Sequence, residues 1–222
     1  MTITLAALLL LVGSLVYWLV RQTVGVQPWE AQSAGAESAP HVPQAATGPR
    51  IGLGVLLAVI TTLFALTISA YSTRMELGPD WRPMPEPALL WINSAMLVLG
   101  SGFLQWAWSA SKRGQIRALK SGLAAGGAAT VAFIGGQYLA WLQLMDAGYY
   151  LTTNPANSFF YFLTALHAIH LLGGLVAWGM IVTKLRGGVS PAELRSSVEL
   201  CAVYWHYLLA VWVVLFGLML ST

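Results

Sequence analysis

The chain has 222 residues, of which 57% are hydrophobic and only 9% charged. Soluble domains carry about 25% charged residues, so this balance excludes an ordinary globular enzyme and points to an all-α integral membrane protein. The formal net charge of +3 comes from loop lysines and arginines and reads as membrane topology rather than nucleic-acid binding.

Six apolar stretches are long enough to cross a bilayer, which takes about 20 residues each. They cover roughly residues 3–20, 51–71, 88–108, 122–145, 158–183 and 201–220. The first has no positive segment before its core and no small-x-small site after it, so it reads as an uncleaved transmembrane helix over 1–20 rather than a signal peptide. Residues 21–50, rich in Ala, Gln, Ser, Gly and Pro, form a flexible cytoplasmic linker in which His41 is a solvated side chain. Residues 51–222 make up a five-helix domain.

The first helix of that domain carries Thr61, Thr62, Thr67 and Ser69, hydroxyls that can bond back to their own helix or bridge to a neighbour. The loop LGPDWRPMPEP stops it with prolines and sets Trp81 at the membrane interface. The next stretch contains Asn93 and Gln105 and ends in Trp106 and Trp108, which suit an aromatic belt. The one after it opens with Gly122 and Gly126, a GxxxG spacing that permits close backbone approach.

The loops assign an orientation. If the linker, the 109–121 loop and the 184–199 loop are cytoplasmic, that side holds nine of the basic residues and the other side only Arg74 and Arg82. This positive-inside bias gives a bundle of six transmembrane helices, N-out and C-out.

The polar interior is concentrated in the last two stretches. NSFFYFLTALHAIHLLGG, residues 157–174, places His167 and His170 three apart, on one helical face. SVELCAVYWHYLLAVW, residues 197–212, places Glu199 seven residues before His206, on one stripe about two turns long. Histidines in hydrocarbon are unfavourable and mark functional positions or mutual pairing. Trp205 and His206 are expected to face the bundle interior, with His206 within polar reach of the 158–183 helix. Glu199, read as lying near the start of the last helix, suits either the positive end of the helix dipole or a pairing with Arg195 or a histidine. Structural metal sites usually take four ligands, so three histidines and a glutamate form a ligand set only if they converge. The lone cysteine, Cys201, leaves no disulfide and no cysteine-based metal or iron–sulfur motif.

These helices resemble subunit III of the haem–copper oxidases, the cytochrome c oxidase family. The family pattern FY-x-LT-G-x-HG-x-H-x-x-G is matched by Phe160, Tyr161, Leu163, Thr164, His167, His170 and Gly173, with Ala165 and Ala168 where glycine is usual. The family's last helix, an acid seven residues before the histidine of a Tyr-Trp-His-Phe-Val-Asp run and a later Trp, is matched by Glu199, Tyr204, Trp205, His206 and Trp212. Tyr207 replaces the phenylalanine and Leu209 the aspartate. Ile60 stands where the family often bears a buried glutamate. The resemblance covers roughly residues 50–220 and leaves the N-terminal helix and linker unassigned.

The resemblance implies a non-catalytic core subunit of a proton-pumping terminal oxidase that reduces O2 to water with electrons from cytochrome c. It implies subunits I and II as partners and no nucleic acid. Haem and copper are expected in the partner subunits, none in this chain, with phospholipid bound between its helices. The location implied is the bacterial cytoplasmic (inner) membrane. His167, His170, Glu199, Tyr204, Trp205 and His206 would form the family-signature polar interior, with no catalytic, cofactor or metal residue. An alternative within the family is a subunit III-like partner of a quinol oxidase or nitric oxide reductase. From another class comes a di-histidine haem b electron-transfer membrane protein, with His170 and His206 as axial ligands from opposite sides. A proton-relay transporter would show internal repeats and broken helices, and neither a repeat nor a proline within a span is present.

Overall fold

A computed structural model describes residues 48–85 and 87–221, together with the isolated positions Ala6, Gly13 and Tyr17. The rest of the expected first span and most of the linker, His41 included, lie outside the described residues. Those described fold into five helices with no strand: α1 (Gly48–Leu77), α2 (Leu89–Lys112), α3 (Ile116–Asp146), α4 (Pro155–Arg186) and α5 (Pro191–Leu220). All five are long and apolar enough to cross a membrane. A helix of 30 residues, the length of α1 and α5, runs about 45 Å, the thickness of a bilayer with its headgroups. This explains why the helices overrun the apolar stretches. Their polar ends continue the same hydrogen-bond ladder through the headgroup layer, where water is available.

The ends have identifiable stop and start signals. Asn154 accepts a hydrogen bond from Ala156 N and is followed by Pro155 at the first helical position of α4. Ser190 opens α5 with a capping box: its hydroxyl meets Glu193 N at 3.4 Å and donates to Glu193 Oε1 at 2.8 Å. The helix therefore begins ten residues before the apolar stretch starting at 201. Helices α2, α3 and α4 end alike, each with a left-handed glycine (Gly114, Gly148, Gly188) one residue past the cap. The next amide folds back to a carbonyl five residues earlier, as in Gln115 N to Ala110 O.

The DWRP loop ties the end of α1 to the start of α4. Arg74 grips both oxygens of Asp80 at 2.8 and 2.9 Å, which holds that carboxyl below its ordinary value. Asn154 pairs with the backbone of Arg82 in both directions. Trp81 sits edge-on to the Tyr71 ring, 4.9 Å between centroids.

Helix α5 is the centre of the bundle: 61% of its apolar window is buried, against 22–39% for the other four. Helix α2 packs on α3 and α5, α4 on α3 and α5, and α1 chiefly on α4 and α5. The closest seam is α2–α3, and Gly122 and Gly126 make it possible. A Cβ on Gly122 would lie 3.0 Å from Ala107 Cα, and one on Gly126 would lie 2.8 Å from Leu104 Cγ. Gly122→Val should therefore destabilise the bundle by about 1–3 kcal/mol through overpacking, whereas Gly135→Ala, which faces open space, should be neutral. Thermal unfolding in detergent compares the two; equal melting temperatures would show that the glycine seam is not a tight contact.

Candidate functional site

Four consecutive residues of α5 reach four different helices. Successive residues of a helix point about 100° apart, so four of them sweep the full circle. Tyr204 donates its hydroxyl to the His170 carbonyl on α4 at 2.9 Å. Trp205, fully buried, donates its indole N–H to Thr130 Oγ1 on α3 at 2.9 Å. His206 lies between Ser101 Oγ and Gln105 Oε1 on α2. Tyr207 meets Thr61 Oγ1 on α1 at 2.6 Å. Because Thr61 gives its own proton to the Leu57 carbonyl, Tyr207 is the donor. Two turns below Trp205, Trp212 donates to Ser94 Oγ on α2 at 2.9 Å.

The acceptors are arranged alike. Thr61, Ser94 and Thr130 each donate back to the carbonyl four residues earlier, which leaves an oxygen lone pair aimed across the seam. With no water in hydrocarbon, this pairing is how a buried tyrosine or tryptophan is satisfied.

The other signature residues occupy separate environments. His167 is fully buried, with its ring against Phe133 and Trp212 at centroid distances of 5.7 and 5.2 Å. Its Nε2 lies 3.1 Å from the Leu208 carbonyl; a carbonyl only accepts, so Nε2 carries the proton. His170 Nδ1 likewise donates to the Leu166 carbonyl at 2.7 Å. The His170 ring rests 5.5 Å from that of Phe64 and lines a cleft of about 500 Å³ between α1, α4 and α5. The cleft is mostly apolar, with Lys184 and Ser197 among its lining residues. Thr164 on α4 donates to Phe160 O of the same helix and accepts from Trp141 Nε1 on α3.

Two sequence-based expectations change. His206 pairs with α2 and not with the 158–183 helix, and its side chain is exposed on the bundle surface. Glu199 is not near the helix start: α5 begins at Pro191, and Glu193 occupies the first turn. The Glu199 partner is neither Arg195 nor a histidine but Arg50 at the beginning of α1, at 3.2 Å. Seven residues still separate Glu199 from His206, yet the two side chains serve different helices.

The three histidines of the last two helices thus have three different sets of partners. Among the described residues, no group of three His, Cys, Asp or Glu side chains is placed to hold a metal ion. The sequence reading passed over Gln137, whose side-chain nitrogen and oxygen are both buried without a protein partner, as are Asn93 Nδ2 and His167 Nδ1. A glutamine amid the apolar 122–145 stretch was the available signal. Such groups are commonly satisfied by internal water.

The comparisons with known proteins agree with this architecture. The family description "Cytochrome c oxidase subunit III" matches residues 4–221. It therefore includes the N-terminal segment that the motif resemblance left out. The chain is 28% identical over 173 residues to a cytochrome c oxidase subunit 3 from Thermostichus vulcanus, covering 76% of this chain and 85% of that one. It is 30% identical over 175 residues to a probable cytochrome c oxidase subunit 3 from Mycobacterium tuberculosis, covering 76% and 83%. A heme-copper oxidase subunit I+III from Aeropyrum pernix is 27% identical over 128 residues, covering 57% of this chain and 16% of that longer one.

The Trp205–Thr130 bond offers a direct test of the cross-helix pairing. Thr130→Val should cost about 1–3 kcal/mol by leaving a buried N–H unpaired, and Thr130→Ser should restore most of it. Thermal unfolding in detergent reads both; a Thr130→Val subunit as stable as the parent would mean the bond contributes nothing.

Proposed function

The chain belongs to the cytochrome c oxidase subunit III family, and from that premise we propose that it is a non-catalytic core subunit of a proton-pumping terminal oxidase. The complex would reduce O2 to water with electrons from cytochrome c, and this chain would support the stability and proton uptake of subunit I. The observation that carries the reading is the use of the signature residues. Tyr204, Trp205 and His206, with the neighbouring Tyr207 that departs from the family pattern, each hold a different helix, which is scaffold work. Haem and copper would reside in subunits I and II. A relative named as a subunit I+III supports subunit I as the direct neighbour.

In this reading the protein is a multi-pass component of the bacterial inner membrane. It has six transmembrane helices, N-out and C-out: a helix over 1–20, a cytoplasmic linker over 21–50 and the five-helix domain over 51–222. The loop charges support that orientation, since Lys112, Arg113, Arg117, Lys120, Lys184, Arg186 and Arg195 all lie in or beside the two short α2–α3 and α4–α5 connections. A phospholipid would occupy the cleft lined by His170, its headgroup near Lys184.

The tagged chain, purified in mild detergent, should bring haem-bearing partner subunits with it. The reduced-minus-oxidised haem bands should disappear once those subunits are stripped away. Oxygen uptake by the complex should be driven by reduced cytochrome c. Haem bands that stay with the isolated 23.9 kDa chain would overturn the assignment in favour of an electron carrier.

A further inference from the structure

Helices α3 and α4 meet along a seam that is built of small residues on one side. Residues 123–132 of α3 read LAAGGAATVA, almost all Gly, Ala or Thr. Trp178 of α4 lies across this run. Its indole N–H donates to the Leu123 carbonyl at 2.9 Å, and its ring sits so close over Gly127 that a Cβ there would collide with it. Beside the ring, the small side chains leave a trough of about 800 Å³, with Val182 and Leu185 on its α4 wall. The trough shares no residue with the cleft that His170 lines.

Two cations stand at one end of it, Lys120 from the start of α3 and Arg186 from the end of α4. Both are exposed, and neither has a hydrogen bond or ion pair among the described residues. No acid is among the described lining residues. The acids at this end of α5 are engaged elsewhere, Glu193 with Ser190 and Glu199 with Arg50. The rest of the lining, from Leu123 to Ala132 on α3, is apolar.

We propose that the α3–α4 trough is a second lipid site, selective for a phospholipid of net negative charge, whose phosphate sits between Lys120 and Arg186. The charge favours this occupant: two unpaired cations at the headgroup level attract an anionic headgroup, whereas a zwitterionic one brings its own ammonium beside them. The length agrees. From Lys120 to Ala132 is twelve residues of helix, about 18 Å, close to the depth of one leaflet in a hydrocarbon core about 30 Å thick. A transmembrane helix of a partner would need the whole thickness. Further along the same stripe of α3, the large exposed side chains of Tyr138 and Leu139 end the small-residue floor.

The test places the whole complex in nanodiscs of phosphatidylcholine with a trace of phosphatidylglycerol carrying a diazirine on its acyl chain. After irradiation, peptides of this chain are mapped by mass spectrometry. Adducts should fall on residues 123–132 and 178–185, and unlabelled phosphatidylglycerol should compete them away better than phosphatidylcholine. The double variant Lys120→Gln/Arg186→Gln should lose these adducts roughly ten- to thirtyfold, while Lys184→Gln, in the other cleft, should keep them. Ala128→Phe, at an exposed position on the trough floor, should abolish them with both cations in place. Equal competition by the two lipids, or full labelling of the double variant, would mean an ordinary lipid-facing surface and overturn the site. So would the absence of adducts on residues 123–132. The labelling reads the same way in the isolated chain, so a failure of haem-bearing subunits to co-purify would sink the subunit III assignment and not this site.

Discussion

The bundle depends on a constraint set by the membrane: a polar group in hydrocarbon has only other protein groups to bond to. Helix α5 meets that constraint by placing four hydrogen-bonding side chains in succession, Tyr204 to Tyr207, so that each faces a different neighbour. Apolar packing alone would let helices rotate or slide in a lipid environment, because lipid tails are as apolar as leucine. Fixed donor–acceptor pairs at one level of the bundle set both rotation and height. The histidines take part as directional donors to backbone carbonyls and side chains.

The pairs act on an uneven scaffold. On one side, Gly122 and Gly126 bring α2 and α3 into backbone contact. On the other, α1 is held by Tyr207–Thr61 and the Arg50–Glu199 ion pair, and it leaves an apolar cleft against α4 and α5. Tyr207 is a departure from the family's usual phenylalanine, and its hydroxyl supplies a tie to α1. Ile60, one residue from that tie, is buried at 1% exposure. Where the family often carries an acid, this chain has an apolar contact next to a hydrogen bond.

Much of this was legible in the sequence. Length and hydropathy place α1 to α5 because each must span the bilayer, and the FY-x-LT…H-x-x-H and YWH patterns lead to the family. Hydropathy is blind to helical residues in the headgroup layer, so the first ten residues of α5 went unread although Ser190 and Glu193 spell a capping box. That omission also misplaced Glu199, which seemed to begin a helix and in fact lies well inside one. Periodicity shows which residues share a face but not which helix that face meets. His206 was therefore assigned to the wrong neighbour, and Arg50, far away in sequence, was not considered as the Glu199 partner.

The claim that these histidines serve as struts is most directly read from their ring protons. Solid-state NMR of the chain in lipid, with ring nitrogens labelled with ¹⁵N, distinguishes Nδ1–H from Nε2–H. The geometry predicts the proton on Nε2 in His167, bonded to Leu208, and on Nδ1 in His170, bonded to Leu166, with no change on adding a metal chelator. Ring-nitrogen shifts characteristic of metal or haem coordination at either histidine, abolished by chelation or by haem extraction, would contradict it.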